Sequence, residues 1–257
     1  MMWSKEGSAI RISAAAAGPS HALRVNALAV LGGVFLGAIV AYSAISFHLS
    51  LGSATVIAAA VLLLVIFALV IGSLHRHRFD SFGLANTVTA IRSAIVSLVA
   101  AAVIVPNAPE NASWALVLLV TVALTLDGFD GYLARLQRQE SELGARFDME
   151  VDAFLILCLS AAVFILDKAG AWVVLIGLLR YAFMMAQYFV PSLTAPLPPS
   201  LRRKFVCVVQ VAALCLILVP GVMAPISVWL AAVALLLLIY SFAVDCLYLL
   251  RDPEVGR

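Results

Sequence analysis

Apolar residues run nearly unbroken for stretches of about 20 positions, and the breaks between stretches are short, polar and mostly basic. Eight stretches are readable, over residues 25–47, 52–74, 87–106, 113–133, 147–167, 170–190, 205–219 and 223–249. Roughly 20 helical residues cross about 30 Å of hydrocarbon, which is the length of most of these runs. In lipid only helices or closed barrels satisfy the backbone polar groups, and the runs are too long and continuous for barrel strands. The pattern predicts an all-α fold, a polytopic membrane helix bundle of about eight transmembrane helices.

Composition agrees: 64% of residues are hydrophobic and 12% charged, about half the charged fraction of a soluble domain. The net charge of +2 says little; the positions of the charges say more. Lys5, Arg11, Arg24, Arg76, Arg78, Arg135, Arg138, Arg146, Arg202, Arg203, Lys204, Arg251 and Arg257 all fall on one side of such a bundle, and the opposite turns hold Lys168 alone. An excess of Lys and Arg marks the cytoplasmic side, so both termini are expected there. The first apolar run exceeds the 7–15 residues or so of a signal peptide and reads as a retained helix. Cys158, Cys207, Cys215 and Cys246 lie inside apolar runs without a C-x-x-C pair, and read as small packing residues.

The chain divides in two. Residues 1–74 hold two apolar helices, whereas residues 75–257 hold six, with every intramembrane charge of interest. His75-Arg76-His77-Arg78 marks the junction and reads as a juxtamembrane basic cluster drawn to anionic lipid.

Four of the eight aspartates fall between positions 127 and 152. Asp127 and Asp130 are spaced i, i+3, and Asp148 and Asp152 i, i+4, so each pair shares one face of its helix. A short link between the two helices would make them antiparallel neighbours and let all four carboxylates converge. Each carboxylate at membrane depth costs about 2.5–3.5 kcal/mol on insertion scales, and crowded like charges disfavour one another. A cation must offset this, and hard oxygen ligands suit Mg²⁺ or Mn²⁺. A two-metal site about 3.5–4 Å across is a recurrent device for neutralising phosphate and leaving group together. Gly128, Gly131 and Ala134 leave one helix face bare for a ligand to approach.

The stretch D-x-x-D-G-x-x-A-R-x8-G-x-x-x-D-x-x-x-D, met here by Asp127, Asp130, Gly131, Ala134, Arg135, Gly144, Asp148 and Asp152, resembles the signature of the CDP-alcohol phosphotransferases. The resemblance covers about residues 79–257, the family's six-helix core. It implies that Asp127, Asp130, Asp148 and Asp152 hold two Mg²⁺ or Mn²⁺ ions, and that Asp152 is also the general base for the acceptor hydroxyl. It implies a CDP pocket lined by Gly131, Ala134, Arg135 and Gly144. The family's N-x-x-T-x-x-R element is met by Asn86, Thr89 and Arg92, although Ala85 stands where proline is usual. Asn86 and Thr89 are carried over as nucleotide or diphosphate contacts, and Arg92 as a structural residue.

The implied reaction transfers a phosphatidyl group from CDP-diacylglycerol to an alcohol, with release of CMP. Arg180 within the sixth run, and Arg202-Arg203-Lys204 before the seventh, are the candidate acceptor contacts. Asp245 is a possible partner for Arg180. Arginine and lysine favour a phosphorylated acceptor. Lys204 and Gln210 partly match the pattern of the phosphatidylglycerophosphate synthase branch, with Arg203, Val206 and Cys207 departing from it. Glycerol 3-phosphate is the expected acceptor; inositol phosphate, serine, choline and phosphatidylglycerol, the last as in a cardiolipin synthase, stay open.

Intramembrane carboxylates also build ion-coupled transporters. Those sites usually lie at the bilayer midplane between internal repeats, whereas this cluster lies near one interface and no repeat is evident. The expected setting is a homodimer in a bacterial inner membrane, with its active site facing the cytoplasm. Its partners would be membrane lipids, CDP-diacylglycerol and a small alcohol, with no nucleic acid.

Overall fold

A computed structural model describes residues 19–77, 79–105, 112–137, 141–194 and 200–251. For some helical residues, among them 112–113, 127–137, Lys204 and Arg251, only the backbone is described. Eight α-helices follow in order: α1 (His21–Leu49), α2 (Gly52–Gly72), α3 (Leu84–Ile104), α4 (Ala112–Gln137), α5 (Glu142–Ile165), α6 (Leu175–Phe189), α7 (Leu201–Leu218) and α8 (Ile226–Arg251). Among the described residues there are no strands. The protein is a helical membrane bundle, and among the described residues five segments are long and apolar enough to span a bilayer: α1, α2, α3, Ala171–Phe189 and most of α8. Outside this set are α5, which carries Asp148 and Asp152, and α7, which opens on Arg202-Arg203-Lys204, while the described part of α4, Trp114–Leu126, is a shorter apolar stretch. Charge near the starts of α5 and α7 is what lowers their apolar character.

Helix α3 is the centre of the bundle. Ala90, Ser93, Ala94, Ser97, Ala100 and Ala101 are buried along it, and small side chains allow helix backbones to approach closely. It packs against α1, α2, α4 and α5, while α5 also packs against α6 and α7, and α7 against α8. The α5–α6 contact is tight because Gly177 has no side chain: a Cβ there would lie 2.4 Å from Leu157 Cα.

The two N-terminal helices are seated on α3. Tyr42 Oη donates to the Ala94 carbonyl at 2.6 Å, and Asn26 Oδ1 accepts from the Phe82 N–H at 2.8 Å. At the far end, Lys168 Nζ donates to the Val222 carbonyl at 2.7 Å, and Ser227 Oγ to the Lys168 carbonyl at 2.5 Å. The turns after α5 and before α8 thus lie at the same end.

The junction cluster departs from a simple surface patch. His75 is exposed, but His77 is buried and its ring faces protein partners. Arg78 lies outside the described residues, as do Lys5, Arg11, Arg138 and Arg257.

Candidate active site

Two contacts fix how α3 lies against α5. Asn86 meets Gly144, where an added Cβ would stand 2.5 Å from Asn86 Oδ1. Further along, Arg92 Nη1 donates to Asp148 Oδ1 at 2.5 Å, and Arg92 Nη2 to Asp152 Oδ1. Six residues separate Asn86 from Arg92, and four to eight separate Gly144 from the two aspartates. At 1.5 Å per residue both intervals are about 9 Å. The partners advance together, so α3 and α5 run in the same direction. Asn86, Thr89 and Arg92 sit at i, i+3 and i+6 and form one buried face of α3.

Helix α5 begins well defined because Ser141 caps it: Ser141 Oγ accepts from the Gly144 N–H at 3.0 Å. A side-chain cap satisfies one of the N–H groups orphaned at a helix start. Gly144 lies in that first turn between Ser141 and Asn86, where no larger residue fits without displacing one of them. The Asn86 amide donates to the Phe82 carbonyl at 2.5 Å. Phe82 is therefore held through its N–H by Asn26 of α1 and through its carbonyl by Asn86 of α3.

Asp148 and Asp152 come from the second half of the motif, and one guanidinium draws them together. The Arg92 side chain is almost fully buried, while the two carboxylates are 37% and 34% exposed. A buried arginine without carboxylates beside it would be strongly disfavoured, so the three side chains form one electrostatic unit. Sequence reasoning gave Arg92 only a structural part. The signal available was its place three residues beyond Thr89, on the face that bears Asn86.

Asp127, Asp130, Gly131, Ala134 and Arg135 lie on α4 near its end, and only their backbone is described. No group of three metal-capable side chains is present among the described residues. The donor chemistry that is visible suits a hard divalent ion: two carboxylates on one helical face, held close together and partly open.

The basic candidates are distributed differently from expectation. Arg180 pairs with Glu150 of α5 at 2.9 Å rather than with Asp245. Glu150 was missed because a lone glutamate two residues before the motif's last aspartate carries no spacing signal. Asp245 is taken by α7: Arg202 Nη2 donates to it at 2.5 Å, and Arg203 lies 3.6 Å away. Arg202 also donates to the Ser241 carbonyl and hydroxyl, at 2.5 and 2.8 Å. The side chain of Lys204 lies outside the described residues.

A polytopic helical bundle carrying a carboxylate pair of this kind defines an integral membrane protein with a polar site set into an apolar body. Residues 82–240 match the model of the CDP-alcohol phosphatidyltransferase family. That is more than half of the chain, and the protein belongs to this family. It is accordingly an enzyme that transfers a substituted phosphate group from a CDP-alcohol, in a family that generally depends on a divalent metal. Comparisons with the curated proteins and with the solved structures return no match.

Proposed function

We propose that the protein transfers the phosphatidyl group of CDP-diacylglycerol to the hydroxyl of glycerol 3-phosphate and releases CMP. The observation that carries the reading is the joint placement of Asp148 and Asp152 by Arg92, one helical interval from the Asn86–Gly144 contact. A base and a nucleotide-facing surface then share the α3–α5 seam.

In this reading Asp152 accepts the proton of the acceptor hydroxyl. The acceptor oxygen forms a bond to the phosphatidyl phosphorus, the bond to the bridging oxygen breaks, and CMP leaves with the electron pair. Asp127, Asp130, Asp148 and Asp152 would hold Mg²⁺ or Mn²⁺ in a two-metal site, and such ions neutralise phosphate charge when bound. Asn86, Thr89, Gly131, Ala134, Arg135 and Gly144 would line the nucleotide pocket. Arg92 orients Asp148 and Asp152, and its charge offsets theirs.

For the acceptor, the proposal assigns its phosphate to Arg180, Arg202, Arg203 and Lys204. Two donors support this. Arg180 Nε and Gln210 Nε2 are both buried with no hydrogen-bond acceptor among the described residues. Unsatisfied buried donors are costly and often mark a ligand. Gln210 belongs to the partial match with the phosphatidylglycerophosphate synthase branch, which favours glycerol 3-phosphate over inositol phosphate.

The proposal places the site and both termini on the cytoplasmic face of a bacterial inner membrane, with the enzyme a homodimer. Arg24, Arg76, Arg146, Arg202 and Arg203 support that orientation. Residues 75–257 would form the catalytic core and residues 1–74 an addition to it. The test is purified protein with labelled CDP-diacylglycerol and a panel of acceptors. CMP release that depends on glycerol 3-phosphate is the expected result. Turnover with inositol phosphate, serine, choline or phosphatidylglycerol instead would replace the acceptor, and no CMP release with any of them would overturn the reading.

A further inference from the structure

We propose that His77, which precedes the family-matched region, is a positioning residue for the nucleotide pocket and acts through Ser141. Its ring is buried between the junction segment and the start of α5. Nε2 lies 2.8 Å from the Ser81 carbonyl, which can only accept, so Nε2 carries the proton. In the neutral ring Nδ1 is then an acceptor, and Ser141 Oγ lies 3.0 Å from it. The Ser141 hydroxyl donates to His77, while its oxygen accepts the Gly144 N–H at 3.0 Å. A single relay thus runs from Ser81 through His77 and Ser141 to Gly144.

The relay ends where position matters. Ser141 and Asn86 crowd Gly144 from two directions, at 3.2 and 2.5 Å from where a Cβ would be. A hydroxyl left to rotate would release the Gly144 peptide and loosen the first turn of α5. Asp148 follows one turn later and Asp152 two turns later on that helix. The ring is also braced by Phe79 and Phe82, with centroids 5.7 and 6.5 Å away. His77 therefore acts on a helix start, without contacting substrate.

The proposal rests on the reading that the Asn86–Gly144 contact lines the nucleotide pocket. It is tested on the full-length chain in detergent, with CMP and Mg²⁺ as the binding probe. His77→Ala should weaken CMP binding and raise KM for CDP-diacylglycerol roughly three- to tenfold, the scale of one hydrogen bond, with a smaller change in kcat. His77→Asn, whose side-chain oxygen can accept from Ser141, should restore affinity. His77→Gln, whose amide better replaces Nε2, should not. The double variant His77→Ala/Ser141→Ala should bind CMP no worse than Ser141→Ala alone, since both changes cut one relay.

Additive losses, or equal affinity in all three His77 variants, would overturn the proposal. So would failure of both His77→Ala and His77→Gln to accumulate as folded protein, because the role would then be structural only. Asn86→Ala and Gly144→Ala separate the two readings. If neither changes CMP affinity, the pocket assignment fails; if they lower it and His77→Ala does not, the relay alone fails.

Discussion

Arg92 of α3 donates to Asp148 of α5 at 2.5 Å, and the same buried guanidinium also reaches Asp152. A planar fork can bridge two carboxylates, whereas a lysine ammonium presents a single point of charge on a flexible stem. Arg92→Lys should therefore keep the charge and lose the bridge. Losing one charge-assisted hydrogen bond costs about 1.5–3 kcal/mol. The expected outcome is a folded protein with a lowered Tm and turnover reduced tenfold or more. Unchanged turnover in Arg92→Lys would remove Arg92 from the positioning of the carboxylates.

Asp152→Asn should retain the fold and CMP binding and lose turnover. The amide cannot take the acceptor's proton, and removal of a general base typically costs about 10²–10⁴ in rate. It can still accept a hydrogen bond from Arg92 through its side-chain oxygen, so the α3–α5 seam should hold. Single-turnover CMP release is the measurement, and near wild-type rates would assign the base elsewhere.

Chelation supplies an independent test of the metal. Excess EDTA should abolish CMP release, and added Mg²⁺ or Mn²⁺ should restore it. Asp148→Ala should weaken Mn²⁺ binding followed by electron paramagnetic resonance, a readout that needs no substrate. Full activity in excess chelator would rule the metal out.

Helix number and class were legible because hydrocarbon thickness fixes span length, and the eight apolar runs correspond in order to the eight α-helices among the described residues. Boundaries were less so. The fifth helix begins at Glu142 instead of near 147, because Ser141 caps it and its polar first turn carries no apolar signal. Aspartate spacing placed Asp148 and Asp152 on one face of α5, but Arg92 as the residue uniting them depended on the register between α3 and α5. Register between helices is a tertiary property that neither helix encodes alone. The same holds for Arg180, whose partner proved to be Glu150 of α5. His77 was read as surface charge because a run of His and Arg has no apolar period to reveal a buried member.

Gly144→Ala tests the closeness of the α3–α5 seam. The added methyl would meet Asn86 Oδ1 at 2.5 Å and Ser141 Oγ at 3.2 Å, so one of them must move. Overpacking of this kind typically costs about 1–3 kcal/mol. The expected result is a lowered Tm together with weaker CMP binding. Combining Gly144→Ala with Asn86→Ala should recover stability but not CMP affinity, because the space is relieved while the amide is lost. Recovery of both would show that Asn86 makes no contact with the nucleotide.

Residues 1–74 are proposed to be dispensable for chemistry, and the structure sharpens what their removal should do. Asn26 accepts from the Phe82 N–H, Tyr42 donates to the Ala94 carbonyl and Ser20, just before α1, donates to Asp80, which ties the pair to the core, while Ser43 and Thr55 bond to carbonyls one turn back. Two helices return the chain to the side from which it entered, so a chain beginning near His75 should keep the orientation of the core. It also keeps His77, Ser141 and Gly144. It loses the α1 and α2 faces packed on α3 and the hydrogen bonds that Ser20, Asn26 and Tyr42 make to the core, each worth about 1 kcal/mol. Lipid can refill the apolar faces, since acyl chains are as apolar as the side chains they replace. The expected outcome is lower yield and Tm, with CMP release per folded molecule within about tenfold of the full chain, a difference that 1.4 kcal/mol would produce. Suppose instead that the shortened protein is folded, correctly oriented and binds CMP, yet turns nothing over. The N-terminal pair would then be part of the active site, and the division of the chain at residue 75 would be wrong.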